Sequence, residues 1–124
     1  MDPLIQKAIE ARKKSYSPYS KFAVGAALET ADGTVITGTN VEHVHHGMAC
    51  CAERTALFTA VAQGHRKFKR LAVVADTQAP VTPCGICRQF LVEFNPHLEI
   101  IMANLTGQTE TATLDQLLPK AFRP

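Results

Sequence analysis

Two short motifs, Cys51-Ala52-Glu53 and Pro83-Cys84-Gly85-Ile86-Cys87, hold three of the chain's four cysteines and limit what it can fold into. Each falls after a predicted strand, at or near the start of a helical pattern, so a fold that uses both must bring two helix starts together. Three thiolates on Zn²⁺ fill three corners of a tetrahedron and leave the fourth open, which separates a catalytic zinc from a structural one. Glu53, two residues after the first thiolate, is placed to handle the protons of a water at that open corner.

The rest of the chain supplies such a frame. Asp2-Pro3 predicts an N-cap followed by proline at the first helical position, and Leu4, Ile5, Ala8, Ile9 and Arg12 keep one stripe at helical period until Ser17-Pro18. Residues 22–29 and 35–39 read as strands joined by a hairpin at Ala31-Asp32-Gly33. A helix is predicted over 51–63, stopped by Gly64. Leu71 to Ala75 is a continuous apolar run, as expected of a strand covered on both faces. Thr82-Pro83 resembles a cap and first-turn proline opening a helix to Glu93; a buried strand follows at 98–103 and an edge strand at 110–112. Thr113-Leu114-Asp115-Gln116 has capping-box spacing for a last short helix. The order α-β-β-α-β-α-β-β-α contains two strand–helix–strand units, each expected to make a parallel pairing. It predicts a three-layer α/β/α sandwich on a mixed five-stranded sheet, one domain over residues 1–124.

Composition narrows the function. A net charge of +2 and one dense basic stretch, His65 to Arg70, make a weak footprint for nucleic acid; a solvated loop is the reading preferred for that stretch. No apolar run reaches the ~20 residues needed to cross a bilayer, and the amphipathic start is not read as a signal peptide. A cytoplasmic location is expected, where cysteines serve metals or catalysis rather than disulfides.

Both cysteine motifs at helix starts suit thiolate chemistry, because the partial positive charge there lowers a thiol's pKa. Three thiolates still leave Zn²⁺ with a net negative charge, which opposes ionisation of a bound water. Arg54 and Arg88, each the residue after a motif, are the candidates to offset it by hydrogen bonds to sulfur. Competing readings are a structural zinc ribbon, which requires a second ligand pair, and a thioredoxin-type Cys-Gly-Ile-Cys pair, which leaves Cys51 and Glu53 unused. Cys50 points elsewhere on a helix from its neighbour and reads as a small buried residue.

With these residues in view, the chain resembles the small zinc-dependent cytidine deaminases almost end to end, a class that shares the three-cysteine, one-glutamate arrangement. Tyr16-Ser17-Pro18-Tyr19-Ser20-Lys21-Phe22, Asn40-Val41-Glu42, the two zinc motifs, and Leu117-Leu118-Pro119 with Phe122 stand in the family's order. The resemblance implies one Zn²⁺ per subunit on Cys51, Cys84 and Cys87. It implies a proton shuttle at Glu53, sugar recognition by Asn40 and Glu42, and Phe22 and Ala52 at the nucleoside. It also implies a homotetramer with sites at subunit boundaries, in which Phe122 reaches a neighbour's cleft; the alternative, Phe122 docked on its own core, stays open. The implied reaction converts cytidine or 2′-deoxycytidine to uridine or 2′-deoxyuridine in pyrimidine salvage. Departing from the family, the loop between Glu42 and Cys51 carries His43, His45 and His46, which could bind a second metal, reshape the pocket or make ordinary hydrogen bonds. A modified cytosine nucleoside such as blasticidin S is the rival substrate, and a non-catalytic zinc module the rival outside enzymes.

Overall fold

Alternation along the central strands explains why the sheet needs helices on both sides. The computed structural model describes residues 1–123. Helix α1 (Pro3–Arg12) leads into strands β1 (Val24–Thr30) and β2 (Val35–Thr39), then helix α2 (Ala52–Ala62) and strand β3 (Phe68–Ala75). Helix α3 (Gly85–Val92), strands β4 (Glu99–Asn104) and β5 (Thr109–Thr113) and helix α4 (Leu114–Leu117) complete the order. A 3-10 turn, His46–Met48, precedes α2.

Ala26, Leu28, Leu71, Val73, Ile100 and Met102 point to one face, where they meet Leu57 of α2 and Leu91 of α3. The intervening Ala27, Ala72, Val74, Ile101 and Ala103 point to the other and meet Leu4, Ile5 and Ala8 of α1. That period of two on a sheet covered twice is what makes the strands read as unbroken apolar runs. Each fully buried leucine, such as Leu57 or Leu71, contributes about 2 kcal/mol through its burial. The α1 face is lined by small residues, and at Gly25 a Cβ would lie 2.0 Å from the Ala8 carbonyl oxygen, so helix and strand touch backbone to backbone.

The three layers and five mixed strands are as expected, in the order β2-β1-β3-β4-β5. One strand–helix–strand unit, β3-α3-β4, makes the expected parallel pair, with Leu71 beside Ile100 and Val73 beside Met102. The other does not. The β1–β2 hairpin occupies one edge of β1 and β3 takes the other, both antiparallel, so α2 crosses over β1 and β2 never pairs with β3.

Local signals mostly hold. Asp2 caps α1, its Oδ1 accepting the Leu4 N–H at 2.9 Å, and Gly64 ends α2 with φ 95°. The Thr113 N–H donates to Gln116 Oε1 at 3.0 Å at the start of α4. Two boundaries move for physical reasons. Helix α3 starts at Gly85 rather than behind Thr82, because Cys84 is the cap and its Sγ accepts the Cys87 N–H at 3.4 Å. Strand β3 starts at Phe68, so the basic stretch is only partly a loop. Arg70 within it reaches Glu29 Oε1 at 2.8 Å and Asp2 Oδ2 at 2.7 Å. Among the described residues no helix is long and apolar enough to cross a membrane.

Candidate active site

Strands β2 and β3 are both antiparallel to β1, so they run the same way and end at the same edge of the sheet. Open α/β sheets bind ligands in the crevice at that end. Asn40, Glu42 and Cys51 follow β2, and Cys84 follows β3. Helix α2 is pressed onto β2 at Gly38, where a Cβ would sit 2.4 Å from the Ala52 carbonyl oxygen. The Thr55 hydroxyl locks this contact, accepting the Thr39 N–H at 3.0 Å and donating to the Thr39 carbonyl at 2.8 Å.

The sulfurs of Cys51, Cys84 and Cys87 all lie within 4.8 Å of one another, with Cys51–Cys84 at 3.5 Å and Cys84–Cys87 at 3.3 Å. These spacings are too long for disulfides, and the cysteines are free. Tetrahedral zinc with Zn–S bonds of about 2.3 Å holds its sulfurs roughly 3.8 Å apart, so the tripod fits the ion. Cys51 caps α2 and Cys84 caps α3, which places two of the three sulfurs at the positive ends of helices. The Cys51 thiol is pushed down to about 5, chiefly by a hydrogen bond from Cys87 and, against the effect of burial, by bonds from Arg54 and Cys84. Cys87, which donates that bond, is pushed up.

Glu53, in the first turn of α2, is only 4% exposed and lines the same cleft as Cys51 and Cys84. Burial pushes its carboxyl up to about 7, and the negative charge on Cys51 acts in the same direction. A carboxyl near 7 both takes and gives protons at neutral pH. The Arg54 Nη2 donates to Cys51 Sγ at 3.4 Å, while its Nε is buried with no acceptor among the described residues. Arg88 does not join it. Its guanidinium donates to the Pro83 carbonyl at 2.8 Å and the Leu117 carbonyl at 2.6 Å, so it braces the turn before α3 against the chain's C-terminal segment. The expected bond from Arg88 to sulfur is not made; its Nε and Nη1 are committed to these two carbonyls, which turn the guanidinium toward the C-terminal segment.

The cleft has a volume of about 250 Å³ and is walled by Phe22, Val24, Val73 and Val81, with Ala52, Asn40 and Glu42 on its border. The two polar residues are already engaged with the segment that carries Phe22. Asn40 Oδ1 accepts the Val24 N–H at 2.9 Å and the Ser15 hydroxyl at 2.5 Å, and its Nδ2 donates to the Phe22 carbonyl at 2.7 Å. Glu42 Oε1 accepts the N–H groups of Tyr19 and Ser20, each at 3.0 Å, and its other oxygen accepts the Ser20 hydroxyl. Cys50 also lines the cleft and is half-buried, where a buried residue was expected. Phe122 stands apart at 76% exposure, so its ring is not docked on its own core. His43, His45 and His46 are exposed and do not converge: among the described residues only the three cysteines form a metal-ligating group. His43 and His46 instead line a side pocket of about 180 Å³ that also borders Glu42.

Sequence reasoning overlooked Thr55, Ser20 and Asn104. Asn104 Nδ2 donates to the carbonyls of Thr77 at 3.0 Å and Gln78 at 3.1 Å, and so anchors the loop leading to Cys84. A polar residue closing an otherwise apolar strand was the available signal.

Fold and donor set together define a zinc-dependent hydrolytic enzyme of the α/β class. The family model for the cytidine and deoxycytidylate deaminase zinc-binding region matches residues 2–103. The chain is 51% identical over 123 residues to the cytidine deaminase of Sporosarcina psychrophila, covering 98% of this chain and 90% of that protein. It is 50% identical over 120 residues to that of Halalkalibacterium halodurans, covering 96% and 91%. Among solved structures it is similar to the crystal structure of cytidine deaminase from Burkholderia pseudomallei, with a TM-score of 0.95, 49% identity and 97% of each chain covered. The chain belongs to the cytidine and deoxycytidylate deaminase zinc-binding family.

Proposed function

We propose that this protein hydrolyses cytidine and 2′-deoxycytidine to uridine or 2′-deoxyuridine and ammonia, as one step of cytoplasmic pyrimidine salvage. The observation that carries this reading is Glu53, buried in the wall of the cleft that Cys51 and Cys84 of the three-sulfur cluster also line. Zinc bound by the three thiolates supplies Lewis-acid activation of the attacking water. Glu53 accepts that water's proton, delivers it to N3 of the pyrimidine, and later protonates the amino nitrogen that leaves C4. Arg54 offsets the surplus negative charge of the thiolates through its bond to Cys51. Phe22, Val24 and Val73 exclude bulk water from the base, and Ala52 closes the end nearest the metal.

Glu42 takes the sugar 3′-hydroxyl, a charge-assisted bond of the stronger kind, and Asn40 uses the Nδ2 hydrogen that Phe22 leaves free. The whole chain, residues 1–124, acts as one deaminase domain. Phe58 and Phe90 stack edge to face at 5.2 Å on the outer side of α2 and α3, both exposed, with Ile86 nearby. That apolar surface supports assembly into a homotetramer, in which Phe122 stacks on a base in the neighbouring cleft and contributes about 1–3 kcal/mol.

Loss of ultraviolet absorbance with cytidine and deoxycytidine tests the activity. Glu53→Gln is expected to keep its zinc while turnover falls about a thousandfold or more. Retained activity in that variant, or an inert wild type on both nucleosides, overturns the reading.

A further inference from the structure

Glu42 is exposed, yet it is anchored. An unrestrained surface glutamate samples several rotamers and loses that freedom when it binds a ligand. Here the backbone N–H groups of Tyr19 and Ser20 occupy one carboxylate oxygen, and the Ser20 hydroxyl donates to the other. The same hydroxyl accepts the Phe22 N–H at 3.0 Å. Ser20 therefore joins the cleft's sugar-facing carboxylate to its apolar wall through a single oxygen. The turn that presents Ser20 is itself pinned: the Lys21 N–H donates to the Ser17 carbonyl at 3.0 Å, and Lys21 adopts φ 61°, a region that side-chain-bearing residues seldom occupy. The side pocket of His43 and His46 is lined by Tyr19, Ser20 and Glu42 as well, so the anchored carboxylate borders both that pocket and the cleft.

We infer that Ser20 is the positioning residue for sugar recognition, fixing the Glu42 carboxylate in one orientation at the border between the cleft and the histidine pocket. The inference rests on the proposed role of Glu42 as acceptor of a sugar hydroxyl. With Oε1 filled by two backbone donors, Oε2 is the oxygen left to meet the substrate, and Ser20 is the side chain that orients it. The hydrogen bonds from Ser20, hydroxyl first, also lower the Glu42 pKa and keep it an ionised acceptor.

The test compares wild type, Ser20→Ala and Ser20→Thr on cytidine and on 3′-deoxycytidine, with zinc content measured for each. For Ser20→Ala the KM for cytidine is expected to rise about tenfold with kcat and zinc content held, the mark of lost uniform binding. The KM for 3′-deoxycytidine stays at the wild-type value, and Ser20→Thr restores cytidine binding. An unchanged KM in Ser20→Ala, or an equal loss on both nucleosides, overturns the role of Ser20 alone. A wild type that binds the two nucleosides equally overturns the role of Glu42, and this inference with it.

Discussion

At the metal end of the cleft the working groups sit on helix starts: Cys51 and Cys84 cap α2 and α3, and Glu53 and Cys87 lie in the turns that follow. At the proposed sugar end Asn40 and Glu42 follow β2 and are bonded to residues 15–24, which run from a loop into the start of β1. The metal end takes its precision from buried regular structure. The other end takes it from hydrogen bonds between side chains and loop backbone, so the residues proposed to recognise substrate also build the wall beside it. Chemistry and recognition are therefore exposed to different kinds of damage.

The largest effect expected from this contrast is at Cys87. Replacing it by serine removes one corner of a tripod, so Cys87→Ser is expected to lose zinc and turnover together, read by metal analysis and absorbance assay. A variant that keeps its zinc breaks the assignment of this end. Next comes Asn40→Ala, which strands the Val24 N–H and the Phe22 carbonyl. It is expected to cost about 1–3 kcal/mol of stability and to raise the KM for cytidine, with zinc retained. Zinc loss in that variant would show that the two ends are not separable.

The smallest effect lies outside the cleft and serves as the control. The Leu4 N–H, with Arg70 in support, holds the Asp2 carboxyl below its ordinary range. A carboxyl whose folded pKa is depressed stabilises the fold above its unfolded pKa, and loses that contribution as pH falls through the folded value. Asp2→Asn is expected to lower stability at pH 7 by at most about 1 kcal/mol, because the pair is partly exposed. The gap between wild type and variant in thermal melts should close below about pH 4, with KM and zinc content unaffected throughout.

Legibility in the sequence followed the same division. Cys51, Glu53, Cys84 and Cys87 could be read because helix geometry converts spacing into direction, and helix starts attract thiolates wherever they occur. The apolar runs of β3 and β4 were equally plain, since burial on both faces leaves no polar residue to blur them. What stayed hidden depends on partners far along the chain. The early start of β3 turns on Arg70 meeting Asp2 and Glu29 across the sheet. The path of α2 over β1 depends on which edge of β1 the hairpin fills first. Arg54 and Arg88 look alike in sequence, yet only Arg54 reaches a sulfur, because the carbonyls of Pro83 and Leu117 claim the other. Ser20 stood in the Tyr16–Phe22 segment with no role of its own; a serine in a loop gains meaning only when its oxygen is found between Phe22 and Glu42.

Gly38 carries a consequence for how such a catalyst can be altered. Because no side chain separates α2 from β2, the strand that leads to Asn40 and Glu42 and the helix that carries the metal's neighbours form one rigid joint. Room for a bulkier nucleoside cannot be opened by sliding one against the other without dragging the reacting atoms out of line. New substrates must be won in the surrounding loops, where His43, His45 and His46 lie exposed.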